Sequence, residues 1–377
     1  MKRSDRAILT THCGSLPRPP ELRDLLIARD RGPGVDASLL APKVRDAVAD
    51  AVRQQVDAGI TVVNDGEASK VGFAAYVSDR LNGFDGPPQQ RPKTLDEREF
   101  PEYMARRGGQ MTRRSCNGPV SWKDFSLVEN DVENLKLAMK AAGAVEAFMT
   151  AASPGTITNH HPNQHYRDRE EYIYAVAEVM KREYEAIAAA GFVLQLDCPD
   201  LGLHNIWFPE LSLQDFQKEI ALNVEALNHA TREIPAEQIR IHVCWGAGEG
   251  PHNHDPELPD IVDVIVKARA AAISIVGANG RHEHEWRVWQ GKLPEDKALI
   301  PGVIDNTTNF IEHPEVVADR IINYANLIGG ERVIAGVDCG FATGVSANPA
   351  VDPKIAWAKL RSLAEGAEMA TKELWGR

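Results

Sequence analysis

The chain has 377 residues, of which 43 % are hydrophobic and 25 % are charged, and its formal net charge is -12 at pH 7. This composition is ordinary for a folded globular protein, and the acidic balance excludes a general nucleic-acid or membrane-surface binder, which needs a basic footprint. No apolar run approaches the roughly 20 residues that span a bilayer, and the charged N-terminus lacks the pattern of a secretory signal. The five cysteines are scattered and odd in number, so we expect a cytoplasmic protein without a disulfide scaffold.

Short apolar runs alternate with helical patterns along the chain. Eight of these runs lack hydrophobic alternation, which is typical of parallel strands that are buried on both faces. The predicted strands are Ala7–Thr11, Thr61–Asn64, Ala147–Ala151, Phe192–Leu196, Ile239–Val243, Ala271–Val276, Ala298–Gly302 and Val333–Gly336. The clearest predicted helices are Val44–Ala58, Arg169–Ala190, Leu213–Ala230, Leu258–Ala270, Pro314–Ile328 and Pro353–Met369.

Repeated strand–helix units indicate an α/β fold, and eight of them over this length predict one (β/α)8 TIM barrel, a single domain over residues 1–377. An open doubly wound sheet is the alternative, and it is weakened because no glycine-rich phosphate loop follows the first strand. The stretch from about residue 81 to 130 fits neither pattern and contains Pro87-Pro88. We interpret it as an insertion after the second strand that covers the pocket.

Reactive side chains follow the predicted strands, and in a barrel of this kind chemistry gathers at the carboxyl ends of the strands. The polar and titratable segments are His12–Arg18, Asp65–Glu67, Ser153–Gly155, Gln195–Asp200, His242–Gly246, Asn279–Trp286, Asp305–Thr307 and Asp338–Gly340. Eight such segments at one end of one barrel indicate an enzyme and weigh against a non-catalytic binding protein.

A metal site is the sharpest prediction from these segments. His242 and Cys244 are two residues apart on the fifth strand, so they face the same side, and Cys339 follows the eighth strand. Two thiolates and one imidazole suit zinc, and three protein ligands leave a fourth position open for a substrate thiol. Zinc would hold that thiol as a thiolate, ready to attack an electrophilic carbon. The alternative is that all three residues are ordinary core residues.

At this point the sequence resembles the catalytic domain of cobalamin-independent methionine synthase over nearly its whole length. The resemblance implies a (β/α)8 barrel and a Zn2+ cofactor held by His242, Cys244 and Cys339. It also implies that Glu67 and Asp197 hold the amino group of homocysteine. The motifs that carry it are Gly14-Ser15-Leu16-Pro17, Asp65-Gly66-Glu67, Gln195-Leu196-Asp197, His242-Val243-Cys244 and Asp338-Cys339-Gly340.

Two departures separate the chain from the full-length synthase. The chain has room for one barrel where the synthase has two, and Val276 stands where the resemblance implies a glutamate ligand. A smaller family resembles the chain more closely, the epoxyalkane:coenzyme M transferases, also named 2-hydroxypropyl-CoM lyases. This second resemblance implies that the thiol of coenzyme M opens an epoxyalkane to give a 2-hydroxyalkyl-CoM.

An opened epoxide leaves an alkoxide that needs a proton donor. The candidate donors are His12, Tyr76, Asp197, His282 and His284. We predict Asp197, Glu67 and His282 as catalytic residues and Ser15, Glu67, Asp197 and Arg281 as substrate-binding residues. Glu67 and Asp197 suit a thiol that carries an amino group better than the sulfonate of coenzyme M, which needs a cationic pocket.

Two other functions remain open from the sequence. One is methyl transfer of the core methionine-synthase type to homocysteine or a similar thiol, and the other is a metal-free decarboxylase of the uroporphyrinogen type. The expected partners are a small-molecule thiol and an alkyl donor or epoxide, with no nucleic acid and no membrane. We also expect a homo-oligomer.

Overall fold

The structure is a computed structural model that describes residues 1–31, 36–106, 112–345 and 349–376. The strands of these residues are β1 Leu9–Thr10, β2 Val62–Val63, β3 Leu81–Asn82, β4 Pro88–Gln90, β5 Thr112–Arg114, β6 Ser121–Trp122, β7 Glu146–Ala152, β8 Val193–Asp197, β9 Ile239–Val243, β10 Ala272–Ile275, β11 Ala298–Ile304 and β12 Ile334–Val337. The helices are α1 Pro20–Arg31, α2 Ala37–Asp57, α3 Phe73–Arg80, α4 Leu95–Glu99, α5 Pro101–Arg106, α6 Ser126–Ala142, α7 Pro154–His160, α8 Arg169–Ala189, α9 His204–Trp207, α10 Leu213–Ala230, α11 Leu258–Ile265, α12 Pro314–Ile328 and α13 Pro353–Trp375.

Eight parallel strands form the central sheet in the order β1-β12-β11-β10-β9-β8-β7-β2. The first and last strands of this order also meet, because Thr61 N donates to Thr10 O at 3.2 Å and Thr11 Oγ1 donates to Val62 O at 3.1 Å. The predicted (β/α)8 barrel is therefore confirmed, and each of the eight predicted barrel strands is present. The alternative of an open doubly wound sheet is wrong, because the two edges of the sheet come together.

All six predicted helices are present, and the largest differences are at their ends. α2 begins at Ala37, earlier than predicted, because the Asp36 carboxylate caps it by accepting a hydrogen bond from Ser38 N at 2.8 Å. α11 ends at Ile265 rather than Ala270, where the chain turns to enter β10. No helix among the described residues is both long enough and apolar enough to cross a bilayer.

Strand β9 illustrates how the barrel separates two environments. Ile239, Ile241 and Val243 belong to the main apolar core, whereas Arg240 and His242 make their contacts with polar groups of other barrel strands. Because successive side chains of a strand point to opposite faces, one strand supplies both the shell and the interior. The sequence of β9 alternates apolar and polar residues, yet all five side chains are buried, because the interior of the barrel supplies polar partners for Arg240 and His242.

The segment between α3 and α6 contacts the segments that follow the carboxyl ends of β8 and β9. Leu95 N donates to Asn205 Oδ1 at 2.7 Å, beyond β8, and Tyr103 OH donates to Glu249 O at 2.7 Å, beyond β9. Its two small antiparallel pairs are β3–β6 and β4–β5. The predicted insertion overlaps α6, which begins at Ser126 and packs on α2. Residues 107–111 of the insertion lie outside the described residues, and the single-domain organisation stays a prediction.

Candidate metal centre and active site

Three soft donor side chains meet at the carboxyl end of the barrel. His242 lies on β9, Cys244 comes directly after that strand, and Cys339 comes after β12. Their donor atoms lie within 4.8 Å of one another, all three side chains are buried, and the two sulfurs are 3.9 Å apart. Two sulfurs on a tetrahedral zinc ion, each at about 2.3 Å, lie about 3.8 Å apart. The thiol pair therefore has the spacing that such an ion requires.

The orientation of the His242 ring leaves one nitrogen for a ligand. Nδ1 lies 3.1 Å from Ser274 Oγ and 3.5 Å from Cys13 Sγ. Nε2 is buried and has no hydrogen-bond partner among the described residues. A buried nitrogen without a partner is costly, and a metal ion would satisfy it. The residues present thus fit a zinc ion in donor type, sulfur spacing and unsatisfied nitrogen.

The two thiols of the cluster have different proton affinities. The hydrogen bond from the Cys339 thiol, together with the nearby His242 ring, holds the pKa of Cys244 well below its usual value. The same hydrogen bond raises the pKa of Cys339. These opposite directions favour the proton on Cys339 and the thiolate, the form that coordinates metals, on Cys244.

Asp197 lies beside the cluster at the end of β8. It is in register with His242 on the neighbouring strand. Burial raises the pKa of Asp197 to about 7, and the nearby Glu67 carboxylate contributes to the rise. Gln195 Nε2 donates to Asp197 Oδ1 at 2.7 Å, and Gln195 Oε1 accepts from Arg240 Nε at 2.8 Å. The Asp197 carboxyl group is thus held in place by an amide that is itself held by a buried guanidinium.

Glu67 reaches the same end of the barrel from the loop after β2. Its backbone has a φ of 54°, a left-handed conformation that is uncommon for a non-glycine residue. Thr150 Oγ1 donates to Glu67 Oε1 at 2.9 Å, and burial raises the pKa of Glu67 while the charges of Lys70 and Arg18 oppose the rise. A Cβ at Gly14 would lie 2.6 Å from Glu67 Oε1. Only glycine leaves the space that this carboxylate occupies.

Ser15 and His12, the first of the candidate proton donors, are both buried. Ser15 is buried against the residue after Cys339, because a Cβ at Gly340 would lie 2.0 Å from Ser15 Oγ. His12 Nε2 lies 2.8 Å from Gln55 Oε1, and its Nδ1 accepts from Gly14 N at 3.1 Å. Burial lowers the pKa of His12 to about 4. His12 is therefore a neutral ring whose two nitrogens are occupied inside the protein, and the prediction of a donor role is wrong.

Two other candidate donors, Tyr76 and His284, have different surroundings. The Tyr76 hydroxyl donates to Asp131 Oδ2 on α6, and the Arg80 guanidinium packs on the Tyr76 ring at 4.0 Å. His284 is exposed. The engagement of Tyr76 by Asp131 and the exposure of His284 weigh against a donor role for these two residues.

His282 and Arg281 follow β10. His282 is buried, with Nδ1 2.8 Å from Glu285 Oε2 and Nε2 3.4 Å from Asp255 Oδ2, and its ring stacks on Trp245. Arg281 is partly buried, and its Nε has no hydrogen-bond partner among the described residues. His282 is thus held by two carboxylates, whereas Arg281 keeps a donor for which the described part of the chain supplies no acceptor.

Sequence reasoning left Cys13 out of the site. Its thiol donates to Val337 O at 2.9 Å and lies 3.5 Å from His242 Nδ1. The available signal was its position directly before Gly14, at the end of the first strand. Val276, at the end of β10, is apolar and buried, and no fourth His, Cys, Asp or Glu joins the three donors in the part of the chain that the structure describes.

Comparison with known proteins identifies the family. The model of the family described as "Cobalamin-independent synthase, Catalytic domain" matches residues 149–356, more than half of the chain. The chain belongs to this family. The methionine synthase of Saccharolobus solfataricus is 24 % identical to the chain over 375 residues, which cover 97 % of the chain and 95 % of that relative. The methionine synthase of Sulfurisphaera tokodaii is also 24 % identical, with 97 % and 93 % covered.

Solved structures of similar proteins have the same fold. The B12-independent methionine synthase from Shewanella sp. W3-18-1, in complex with selenomethionine, has a TM-score of 0.75 and 22 % identity, and covers 98 % of this chain and 100 % of its own. The vitamin-B12 independent methionine synthase from Listeria monocytogenes has a TM-score of 0.66 and 19 % identity, and the match covers 98 % of this chain and 99 % of that chain.

These comparisons decide between the two predicted resemblances. The resemblance to the cobalamin-independent methionine synthase catalytic domain is confirmed, and with it a transferase class of enzyme. Coenzyme M and epoxides occur in none of the descriptions given above, so the closer resemblance to the epoxyalkane:coenzyme M transferases has no support from them. The family match also weighs against a decarboxylase of the uroporphyrinogen type.

Proposed function

We propose that this chain is a zinc-dependent thiol alkyltransferase that transfers a methyl group to the thiol of homocysteine or a similar amino thiol. The observation that carries the proposal is the position of two buried carboxylates, Glu67 and Asp197, beside the cluster of His242, Cys244 and Cys339. The names of the relatives, which are methionine synthases, support the same reaction.

His242, Cys244 and Cys339 would hold the zinc ion. Zinc bound there would supply a Lewis acid that keeps a bound thiol deprotonated near neutral pH. Ser274 and Cys13 contact Nδ1 of His242 and so keep Nε2 directed away from them, toward the ligand position. The absence of a fourth protein donor among the described residues leaves room for the thiol of the substrate.

Glu67 and Asp197 would recognise the amino group of the thiol. Burial raises the pKa of both carboxylates, the Glu67 charge adds to the rise at Asp197, and the charge of Lys70 opposes both rises. A substrate ammonium would satisfy both, whereas the sulfonate of coenzyme M would add a third negative group. Catalysis by Glu67 and Asp197 is therefore proposed as orientation of the amino thiol, which places its sulfur in line with the methyl donor.

Arg281 and Ser15 complete the proposed substrate site. The guanidinium of Arg281 has an unsatisfied Nε and suits the carboxylate of an amino acid. Ser15 lies against Gly340, next to Cys339, and its hydroxyl is proposed as a second contact for the substrate. The partners are then a small-molecule amino thiol and a methyl donor, and a homo-oligomer stays a prediction.

The first test compares wild type with Cys244→Ala. We expect about one zinc ion per wild-type chain. The variant should lose its zinc, and its transfer rate should fall about 1,000-fold or more, because two remaining ligands hold the ion too weakly. The measurements are metal content and methyl transfer to homocysteine from a methylated corrinoid or folate. Cys116→Ala is the control, since Cys116 is a buried thiol whose sulfur donates to Gly118 O at 3.5 Å, outside the cluster.

Two outcomes would redirect the proposal. A wild-type protein that contains no metal and still transfers methyl groups would contradict the proposed zinc site. Ring opening of an epoxide by coenzyme M, with homocysteine inactive, would replace the amino thiol with the alternative substrate pair.

A further inference from the structure

Four titratable side chains, three of them buried and His252 half-buried, form a row of alternating charge at the carboxyl end of the barrel. His252 Nδ1 lies 2.6 Å from Asp255 Oδ2, and His282 Nε2 lies 3.4 Å from the same oxygen. His282 Nδ1 lies 2.8 Å from Glu285 Oε2. Glu285 Oε1 in turn accepts a hydrogen bond from Leu258 N at 2.6 Å. The row connects the loop after β9 with the segment after β10.

The hydrogen-bond partners decide the protonation of both histidines. His252 Nε2 lies 2.9 Å from Gly248 O, a carbonyl oxygen that can only accept. Each of the two rings therefore has an acceptor oxygen at both nitrogens, and a ring nitrogen facing such an oxygen must carry a proton. His252 and His282 are imidazolium cations, and Asp255 lies between them.

The surrounding charges favour these cations. Burial acts to lower the pKa of His252, but the Asp255 carboxylate outweighs it and raises the pKa to about 9. The pKa of His282 is likewise raised by Asp255 and Glu285 against the effect of burial. Asp96, on α4, adds a further negative charge near His252. The charged groups facing the row thus come from the loop after β9, the segment after β10 and the segment between α3 and α6.

One aromatic ring connects this row to the candidate metal centre. Trp245 comes directly after Cys244, and its ring stacks on His282 with centroids 4.0 Å apart and planes 17° apart. Trp245 Nε1 donates to Pro256 O at 2.9 Å, and the indole is buried. A cation against the face of an indole is attracted by the π electrons of that ring. Trp245 is held on its face by His282 and at its edge by Pro256.

We propose that His282 is a positioning residue for the Cys244 side of the metal centre, held as an imidazolium by Asp255 and Glu285 and acting through Trp245. This inference rests on the proposed function, because it assumes that Cys244 is a ligand. The sulfur of Cys244 must stay near the sulfur of Cys339 for both to bind one ion. A fixed neighbour at position 245 restricts the backbone that carries Cys244, and the cation is what fixes it.

The test separates charge from ring shape at position 282. His282→Phe keeps a flat ring against Trp245 but removes the cation and both hydrogen bonds, whereas His282→Arg keeps a planar cation with several donors. Zinc affinity is measured by competition with a chromophoric chelator. We expect it to fall about 10-fold in His282→Phe and to recover to within about 3-fold of wild type in His282→Arg, with the stoichiometry unchanged.

Fluorescence of the metal-free protein reports the contact itself. A protonated imidazole in contact with an indole quenches the emission of that indole. The emission of Trp245, obtained by subtracting the spectrum of Trp245→Phe from that of wild type, should therefore increase as the pH is raised and His282 loses its proton. The brightening should be absent in His282→Phe. His284→Phe is the matched control, since His284 is exposed two residues further on, and it should show wild-type affinity and wild-type pH response.

Each contrary result has a separate meaning. Wild-type zinc affinity in His282→Phe overturns the positioning role and leaves the zinc site intact. A difference emission that does not change with pH overturns the imidazolium contact. A wild type that binds no zinc overturns the proposed function, and this inference with it.

Discussion

Asp197 shows how burial changes the chemistry of a single residue at this site. An aspartate in water is ionised well below neutral pH, but burial raises the pKa of Asp197 to about 7, and the Glu67 carboxylate adds to the effect. Its geometry does not depend on a ligand, because Gln195 donates to it and Arg240 donates to Gln195. Asp197 is thus preorganised as an acceptor whose charge is most stable when a cation is bound.

This environment predicts a pH dependence for the binding of an amino thiol. The ionised form of Asp197 is present above its pKa, so the KM for homocysteine should fall as the pH rises through about 7. Asp197→Asn removes the charge and should raise this KM about 10- to 100-fold, with little change for 4-mercaptobutyrate, which lacks the amino group. The measurement is KM against pH for both thiols in wild type and variant. Equal losses for both thiols would contradict an amine-binding role.

At the scale of elements, the loop after β2 is held by a helix of the shell. Asp131 on α6 accepts hydrogen bonds from Ser69 Oγ at 3.0 Å and from the Tyr76 hydroxyl on α3. The same loop carries Glu67 and Lys70, and Lys70 Nζ donates to Thr150 O at 2.7 Å and to Thr150 Oγ1 at 2.8 Å. Three elements therefore meet at one buried carboxyl group whose partners are neutral hydroxyls.

We therefore expect the ionisation of Asp131 to change the free energy of unfolding with pH. Burial, followed by the charge of Asp65, raises the pKa of Asp131 from 3.8 to about 6. The folded state then binds a proton more tightly than the unfolded state, so this contribution to stability is present below pH 4 and is lost as the pH rises to 6. The loss is about 3 kcal/mol for a shift of about two units. Above pH 6 the contribution should no longer change.

Asp131→Asn isolates this contribution, because the amide still accepts both hydrogen bonds but does not titrate. The free energy of unfolding is measured by urea denaturation of wild type and variant between pH 4 and pH 8. Relative to the variant, wild type should become less stable by about 3 kcal/mol as the pH rises. Parallel curves across that range would show that Asp131 does not titrate as its burial demands.

For the whole molecule, the candidate metal centre joins strands that are distant along the chain. His242 and Cys244 belong to β9 and its end, whereas Cys339 follows β12, and β10 and β11 lie between them in the sheet. An ion held by all three would tie the two sides of the barrel together at its open end. Because the ion binds the folded state, its binding free energy adds to the stability of the whole barrel.

Removal of zinc should therefore lower the thermal stability of the entire chain. At free zinc about 100 times the dissociation constant, the added stability is about 2.7 kcal/mol, which corresponds to a shift of several degrees in Tm. Scanning calorimetry of the protein with zinc and after chelation checks this, and Cys244→Ala should melt at the same temperature in both conditions. An equal response of Cys244→Ala and wild type to the chelator would locate the effect outside this cluster.

Much of the barrel and part of the site could be predicted from the sequence. Strand β9 and helix α10 have the predicted ends, because a short run rich in β-branched residues and an amphipathic repeat are local patterns. The segment between α3 and α6 was predicted as an insertion only because its sequence does not fit the strand–helix repeat. Its short strands pair with each other across many residues, and such pairing leaves little local pattern.

The sequence by itself determined which residues follow each strand, and so brought His242, Cys244, Cys339, Glu67 and Asp197 to one end of a barrel. That prediction depends only on local strand patterns and on the parallel direction that strand–helix repeats impose. Which side chains then face one another was decided by closure of the barrel, since the relative stagger of eight strands is a property of the whole sheet. Closure is why Cys13, after β1, meets His242 on β9, whereas Tyr76 and His12 are engaged by residues of the shell helices α6 and α2.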